Sequence, residues 1–154
     1  MLDETITTRK SMTGVDKRLF NQKEQVSMIN QLYLDEPFKG TNIVLKTLKN
    51  KLRGYKLQDQ KYKRYNCKTF ITYPQLIEKL VVSKLKCHYC FKSLQVIYDK
   101  VREDIQWTLD RIDNNLEHTD ENTVVSCLKC NIQRGRQCNK KYLFTKQMRI
   151  IKKY

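Results

Sequence analysis

Two C-x2-C pairs, Cys87/Cys90 and Cys127/Cys130, bracket a polar run that contains Asp110, Arg111, Asp113, His118 and Asn122 and closes on Asn131. Each pair puts two sulfurs on one tight turn, and two pairs complete the tetrahedral thiolate set that Zn2+ favours. Four protein ligands close the coordination sphere, so the expected zinc is structural and contributes folding free energy directly. His88, inside the first pair, is expected to pack in the turn. Cys67 and Cys138 lie outside the pattern and are expected to be free, buried thiols. The carboxylates, amides and lone imidazole between the pairs suit a second, different chemistry: cation binding and proton transfer.

These residues have to be positioned by the elements around them. Leu94 to Tyr98 and Ile105 to Ile112 have strand-like composition. In the second run Trp107 and Leu109 alternate with Thr108 and Asp110, which buries one face and presents Asp110 on the other. Asn114 to Asn122 reads as a polar loop, and Thr123 to Ser126 as a short strand returning to Cys127. From Asn131 the chain can be helical, with an early break at Gly135. Leu143, Met148, Ile150 and Ile151 would anchor a C-terminal segment. Upstream, Val26, Ile29, Leu32 and Tyr33 share one face of a helix over Asn21 to Leu34. Thr41 reads as the N-cap of a helix with an apolar stripe of Val44, Leu45, Leu48 and Leu52, stopped at Gly54. Thr72 or Tyr73, with Pro74 at the first helical position, starts another, whose stripe is Ile77, Leu80, Val81 and Leu85. The chain therefore reads as an α+β protein: a flexible tail over 1–18, a basic helical region over 19–70, a zinc-stapled core over 71–136 and a basic segment over 137–154.

Of 154 residues 31% are charged, and the formal net charge is +15. That excess predicts a polyanionic partner, with nucleic acid the default. No apolar run approaches the ~18 residues of a membrane span. Met1 to Arg18 lacks the apolar core of a signal peptide, so a reducing compartment, cytoplasmic or nuclear, is expected, where six cysteines favour metal over disulfides. The charge is unevenly placed. Lys46, Lys49, Arg53, Lys56, Lys61, Lys63 and Arg64 lie on one side of the core, and Arg134, Arg136, Lys140 and Lys141 on the other. Asp99, Glu103, Asp104, Asp110, Asp113, Glu117, Asp120 and Glu121 crowd the middle. The pattern suggests basic arms gripping phosphates around a cation site, with solvated helix faces as the plainer account. Tyr55 to Tyr65, basic and interleaved with tyrosines, suits nucleic-acid contact, and equally a nuclear-import tract or a linker.

The order of Leu109-Asp110-Arg111-Ile112-Asp113 on a strand, a polar loop, Asn122, a short strand and Cys130-Asn131 at a helix start resembles the HNH endonucleases of the ββα-metal group. The likeness covers Cys87 to Gly135, and the basic leader is similar to short HNH proteins of large DNA viruses. The resemblance implies a small ββα-metal nuclease core preceded by two or three helices, acting on DNA, with RNA or branched nucleic acid as other substrates. It implies that Asp110 and Asn131 hold a catalytic Mg2+ or Mn2+ and that Asn122 fixes the loop and orients the base. Asp113 would be a further ligand or a turn cap. Where the family carries its general-base histidine this chain has Arg111. An arginine stays protonated and cannot accept a proton from water, but it can bind phosphate and stabilise phosphoryl charge. The base role would pass to His118 or to a metal-bound hydroxide. Otherwise the fold serves as a non-catalytic zinc module that binds nucleic acid, or as a protein-interaction domain with basic flanks.

Overall fold

The computed structural model describes Arg9 and residues 12–148. Helix α1 (Gln22–Tyr33) is capped by Asn21, whose Oδ1 accepts from the Lys23 N–H at 2.9 Å. It buries Gln25, Met28 and Ile29, a stripe turned by about one residue from the expected one, with Tyr33 exposed. Ahead of it, Met12 and Leu19 belong to the core and Asp16 caps the 3-10 turn Lys17–Phe20. Arg9 donates its backbone N–H to Asp99 O at 2.6 Å and sets its guanidinium 4.3 Å from the centre of the Tyr98 ring. This part of the expected flexible tail is packed against the body of the protein; the rest of that tail lies outside the described residues, as do Ile150 and Ile151.

Helix α2 (Thr41–Lys61) begins at Gly40, not at a Thr41 cap. Gly40 has φ +96°, and a Cβ there would come within 3.0 Å of Leu19 Cδ1, so only glycine fits without displacing Leu19. The helix runs through Gly54 to Lys61. Gly54 sits on an exposed face with no atom near its would-be Cβ, and Tyr55 and Asp59 beyond it are tied into the protein. A glycine that breaks an isolated helix is overruled here by tertiary contacts, since its helix penalty is only ~1 kcal/mol. Helix α3 (Tyr73–Val82) starts with a Thr72/Gln75 capping box and Pro74 in its first turn, and buries Leu76, Ile77 and Leu80.

Strands β1 (Trp107–Arg111) and β2 (Thr123–Cys127) form an antiparallel hairpin in the register Trp107↔Cys127, Leu109↔Val125, Arg111↔Thr123. Helices α4 (Leu128–Arg134) and α5 (Asn139–Gln147) follow. Residues 94–98 are buried almost throughout but form no strand. Gln25 of α1 takes the backbone of two of them: its Oε1 accepts from the Val96 and Ile97 N–H groups at 2.6 and 3.0 Å, and its Nε2 donates to Ile97 O at 2.9 Å. The outer edge of β1 is closed in the same manner. Lys51 of α2 donates to Trp107 O, and the Leu109 N–H donates to Tyr55 Oη at 3.0 Å. The protein is thus α+β: helices α1 to α3 wrap a two-stranded hairpin that leads directly into α4.

Candidate functional site

Cys87 and Cys90 lie on the turn after α3; Cys127 ends β2 and Cys130 lies in the first turn of α4. The four sulfurs fall within 4.8 Å of one another, and Cys90 and Cys127 are 3.9 Å apart. Tetrahedral Zn–S bonds of ~2.3 Å put ligand sulfurs ~3.8 Å apart, so the cluster can hold one metal ion with small adjustments. The turn is fixed by backbone bonds, Phe91 N–H to Cys87 O at 3.0 Å and His88 N–H to Val125 O at 2.9 Å. His88 packs at the edge of the knuckle with its ring centre 5.0 Å from that of Tyr89. Cys67 and Cys138 are exposed, not buried. Cys67 lies in a polar turn, and Cys138 caps α5, where the Lys140 and Lys141 N–H groups hold its thiol below the usual value.

Asp110 is buried, against the expectation that its strand face would present it. Arg134 at the end of α4 reaches over that face of β1. Arg134 Nη1 bonds Asp110 Oδ1 at 2.7 Å and Arg111 O at 2.6 Å, its Nη2 bonds Ile112 O at 3.0 Å, and its Nε bonds Gln137 O at 3.1 Å. The Tyr89 hydroxyl donates to Asp110 Oδ2 and itself accepts from Asn139 Nδ2 at 2.6 Å. Burial pushes the Asp110 carboxyl above its ordinary value, against the pull of Tyr89 and Arg134. Asn131 stands close by in the sequence of contacts: its Nδ2 donates to Thr108 Oγ1 at 3.0 Å, and no described residue bonds its Oδ1. A divalent ion requires carboxylate oxygen free of a competing cation. With Arg134 on one oxygen and Tyr89 on the other, Asp110 as held here does not fit that role. Among the described residues the four cysteines are the one group of three or more Cys, His, Asp or Glu side chains placed to hold an ion.

Three of the other acids have separate structural partners. Asp113 Oδ1 accepts from the Asn115 N–H at 2.9 Å as a turn cap, and Asp120 pairs with Lys79 at 3.2 Å. Glu117 takes the Asn66 N–H at 2.6 Å and the Thr69 hydroxyl.

Asn122 anchors the loop, as expected from its place in the sequence. Its Oδ1 accepts from the Asp113 N–H at 2.9 Å, and its Nδ2 donates to Asp113 O and Glu117 O at 3.0 and 2.9 Å. The bond to Glu117 O sets the residue before His118. The His118 ring is 2% exposed, stacks 4.7 Å from the Tyr55 ring at 32°, and places Nδ1 2.9 Å from Asp59 Oδ2. The same oxygen accepts the His118 backbone N–H at 2.8 Å, and Asp59 Oδ1 accepts from Arg64 Nε at 3.0 Å. Burial lowers the His118 pKa, opposed by Asp59. Burial alone would raise Asp59, but the bonds from His118 and Arg64 outweigh it and hold the carboxyl below its ordinary range.

His118, Asp110, Arg111 and Asn131 all line one cleft of ≈ 870 Å³ between α2 and the hairpin. Arg111 is anchored through Nη1 to Asn114 O and Leu116 O at 2.9 and 3.1 Å, which leaves Nε and Nη2 without a described partner. Arg136 lines the same cleft. So do Arg9 and Lys51, which the sequence reading did not select. Burial, with Arg9 nearby, brings the Lys51 ammonium down to about 7. Of the other basic residues, Lys46, Lys49, Arg53 and Lys56 are exposed. The last three of these line a separate groove against Tyr65 and Phe70 that shares no residue with the cleft. Arg134 is buried on Asp110, and Arg64 bonds Asp59 and Asn114 O outside the cleft. Lys61, Lys63, Lys140 and Lys141 are exposed outside the cleft. Asp59 is the single acid between Phe38 and Thr69, and nothing in the spacing from 59 to 118 announces the pair.

Comparison with protein-family models, with curated proteins and with solved structures gives no match. Among the described residues no helix is long and apolar enough to cross a membrane.

Proposed function

We propose that the chain is an HNH-type endonuclease that hydrolyses phosphodiester bonds of DNA, with His118 as general base and a structural Zn2+ on Cys87, Cys90, Cys127 and Cys130. One observation carries the reading: the His118 imidazole, held through Nδ1 on Asp59, lines a cleft whose other walls carry Arg111, Arg136 and Arg9. Cations at the wall draw in a phosphodiester, and a neutral imidazole accepts the proton of an attacking water. The new oxygen–phosphorus bond forms as the bond to the leaving ester oxygen breaks, and that oxygen takes a proton from solvent. Arg111 supplies donors to the phosphoryl oxygens where charge accumulates. The element order of knuckle, strand, loop, strand and helix supports the HNH resemblance, and the α4 start brings Asn131 into the cleft. The zinc supplies no chemistry to the reaction; it closes the turn after α3 onto β2 and α4.

The second reading is a non-catalytic nucleic-acid-binding module, favoured by the Asp110–Arg134 pair where the resemblance implies a metal ligand. Nicking of supercoiled plasmid, with Mg2+ or Mn2+ and without added divalent ion, separates the two. Wild type should nick, and His118→Ala should lose the ~10²–10⁴ in rate that a general base contributes. Salt-sensitive DNA binding with no cleavage under any of these conditions would leave the binding module standing.

A further inference from the structure

We infer that Asp59 is the positioning residue of the cleft: it locks His118 in the tautomer whose Nδ1 carries the proton and whose Nε2 carries the lone pair. The inference rests on the reading of His118 as a base and adds to it the group that makes the ring competent. An ionised carboxylate only accepts hydrogen bonds. Asp59 takes Nδ1 at 2.9 Å, the His118 backbone N–H at 2.8 Å and Arg64 Nε at 3.0 Å. Three donors converging on a side chain with no solvent exposure leave it ionised. Nδ1 must then be the donor, and the second ring nitrogen must be the acceptor. No described residue bonds Nε2, and the ring lines the cleft. Tyr55 stacked at 4.7 Å keeps the ring plane fixed.

The arrangement spans two distant parts of the chain. Asp59 lies in the last turn of α2 and His118 in the β1–β2 loop, so the pair exists only when α2 continues past Gly54. The charged and titratable groups facing the ring are Asp59 and Tyr55 from α2, Arg64 just after it, and Arg111 at the end of β1. Asp59 favours the imidazolium, while Arg64 and Arg111 oppose it. With Nδ1 held on Asp59, the second ring nitrogen is the one left for the cleft.

The test is ¹H–¹⁵N spectroscopy of the ring nitrogens in the full, zinc-loaded chain, where His88 is the only other histidine and serves as the internal control. Wild type should show His118 as the Nδ1–H tautomer. In Asp59→Asn the His118 midpoint should fall by about 1–2 pH units, the effect of withdrawing an adjacent opposite charge, while His88 stays put. Arg64→Gln, which spares the pair, should raise the midpoint and covers the case in which Asp59→Asn does not fold. In cleavage assays the acid limb of the rate profile should follow the His118 midpoint from variant to variant. An Nε2–H tautomer in wild type, or an acid limb indifferent to these midpoints, overturns the inference. The expected tautomer and shifts in a protein that cleaves nothing would remove the nuclease reading while leaving the Asp59 lock in place.

Discussion

Arg134→Met tests whether Asp110 is held by Arg134 or reserved for a metal. The substitution removes the guanidinium from Asp110 Oδ1 and from the carbonyls of Arg111, Ile112 and Gln137, in a site where both charged side chains are nearly inaccessible. Stripping one partner from a buried ion pair costs about 3–5 kcal/mol, because the other charge stays buried and unpaired. In a chain of 154 residues a loss of about 4 kcal/mol corresponds to a fall in Tm of roughly 8–16 °C. Asp110→Leu should cost a similar amount by orphaning Arg134. The double variant should lie well short of the sum, with a coupling of about 2–3 kcal/mol, yet not return to wild type, since three carbonyls have lost a donor worth about 1 kcal/mol each. The assay is urea unfolding of the zinc-loaded protein without Mg2+ or Mn2+. A carboxylate kept for a divalent ion would behave in the opposite way, since its removal would impair cleavage and leave metal-free stability alone. If Asp110→Leu and Arg134→Met each change stability by less than about 0.5 kcal/mol, the ordinary range for inconsequential sites, the pairing does not exist in solution.

Three further outcomes follow from the geometry. Thiol titration of the zinc-loaded protein should count two fast cysteines, Cys67 and Cys138, with Cys138 the faster because α5 lowers its thiol pKa; after chelation all six should react and the α-helical signal should collapse. Gly54→Ala, on an exposed helical face with open space at the Cβ position, should raise stability by about 0.5–1 kcal/mol in a thermal melt. Stability should also depend on pH through His118, whose folded pKa is depressed by burial. The unfolded chain binds the proton first, so this contribution is complete above about pH 6.5 and is lost as pH falls through the folded pKa; in His118→Gln that part of the pH dependence should vanish from the unfolding curve.

Elements with strong local signals were legible in the sequence. Asn21 and Thr72 with Pro74 mark the starts of α1 and α3, the two cysteine pairs mark the four-cysteine cluster, and the run at 107–110 marks β1. The departures come from contacts between residues far apart in the chain. Gly54 looked like a stop because propensity is local, while Tyr55 and Asp59 anchor the helix beyond it through Leu109 and His118. Residues 94–98 looked like a strand because they are largely apolar, and burial is what that pattern reports; a glutamine side chain of α1 takes the backbone of Val96 and Ile97, while Leu94 and Gln95 pair with Leu85, Ile105 and Trp107. Asp110 looked presented because alternation describes two faces of a strand and is silent on Arg134 crossing one of them. The site followed the same division. Asn122 and Asn131 were selected through the resemblance in motif order, whereas Asp59 reaches His118, and Lys51 and Arg9 the cleft, from elements whose placement no spacing encodes.

Tyr89 sits between two cysteines of the metal cluster, and its hydroxyl rests on Asp110. The knuckle and the floor of the cleft therefore share one side chain. Such sharing makes them thermodynamically reciprocal: whatever a metal ion adds to the order of the knuckle it also adds to the Asp110–Arg134 pair, and a ligand that tightens the cleft around that pair tightens the hold on the metal by the same factor. If the four cysteines hold an ion, its removal loosens the knuckle side of the Tyr89–Asp110 contact as well.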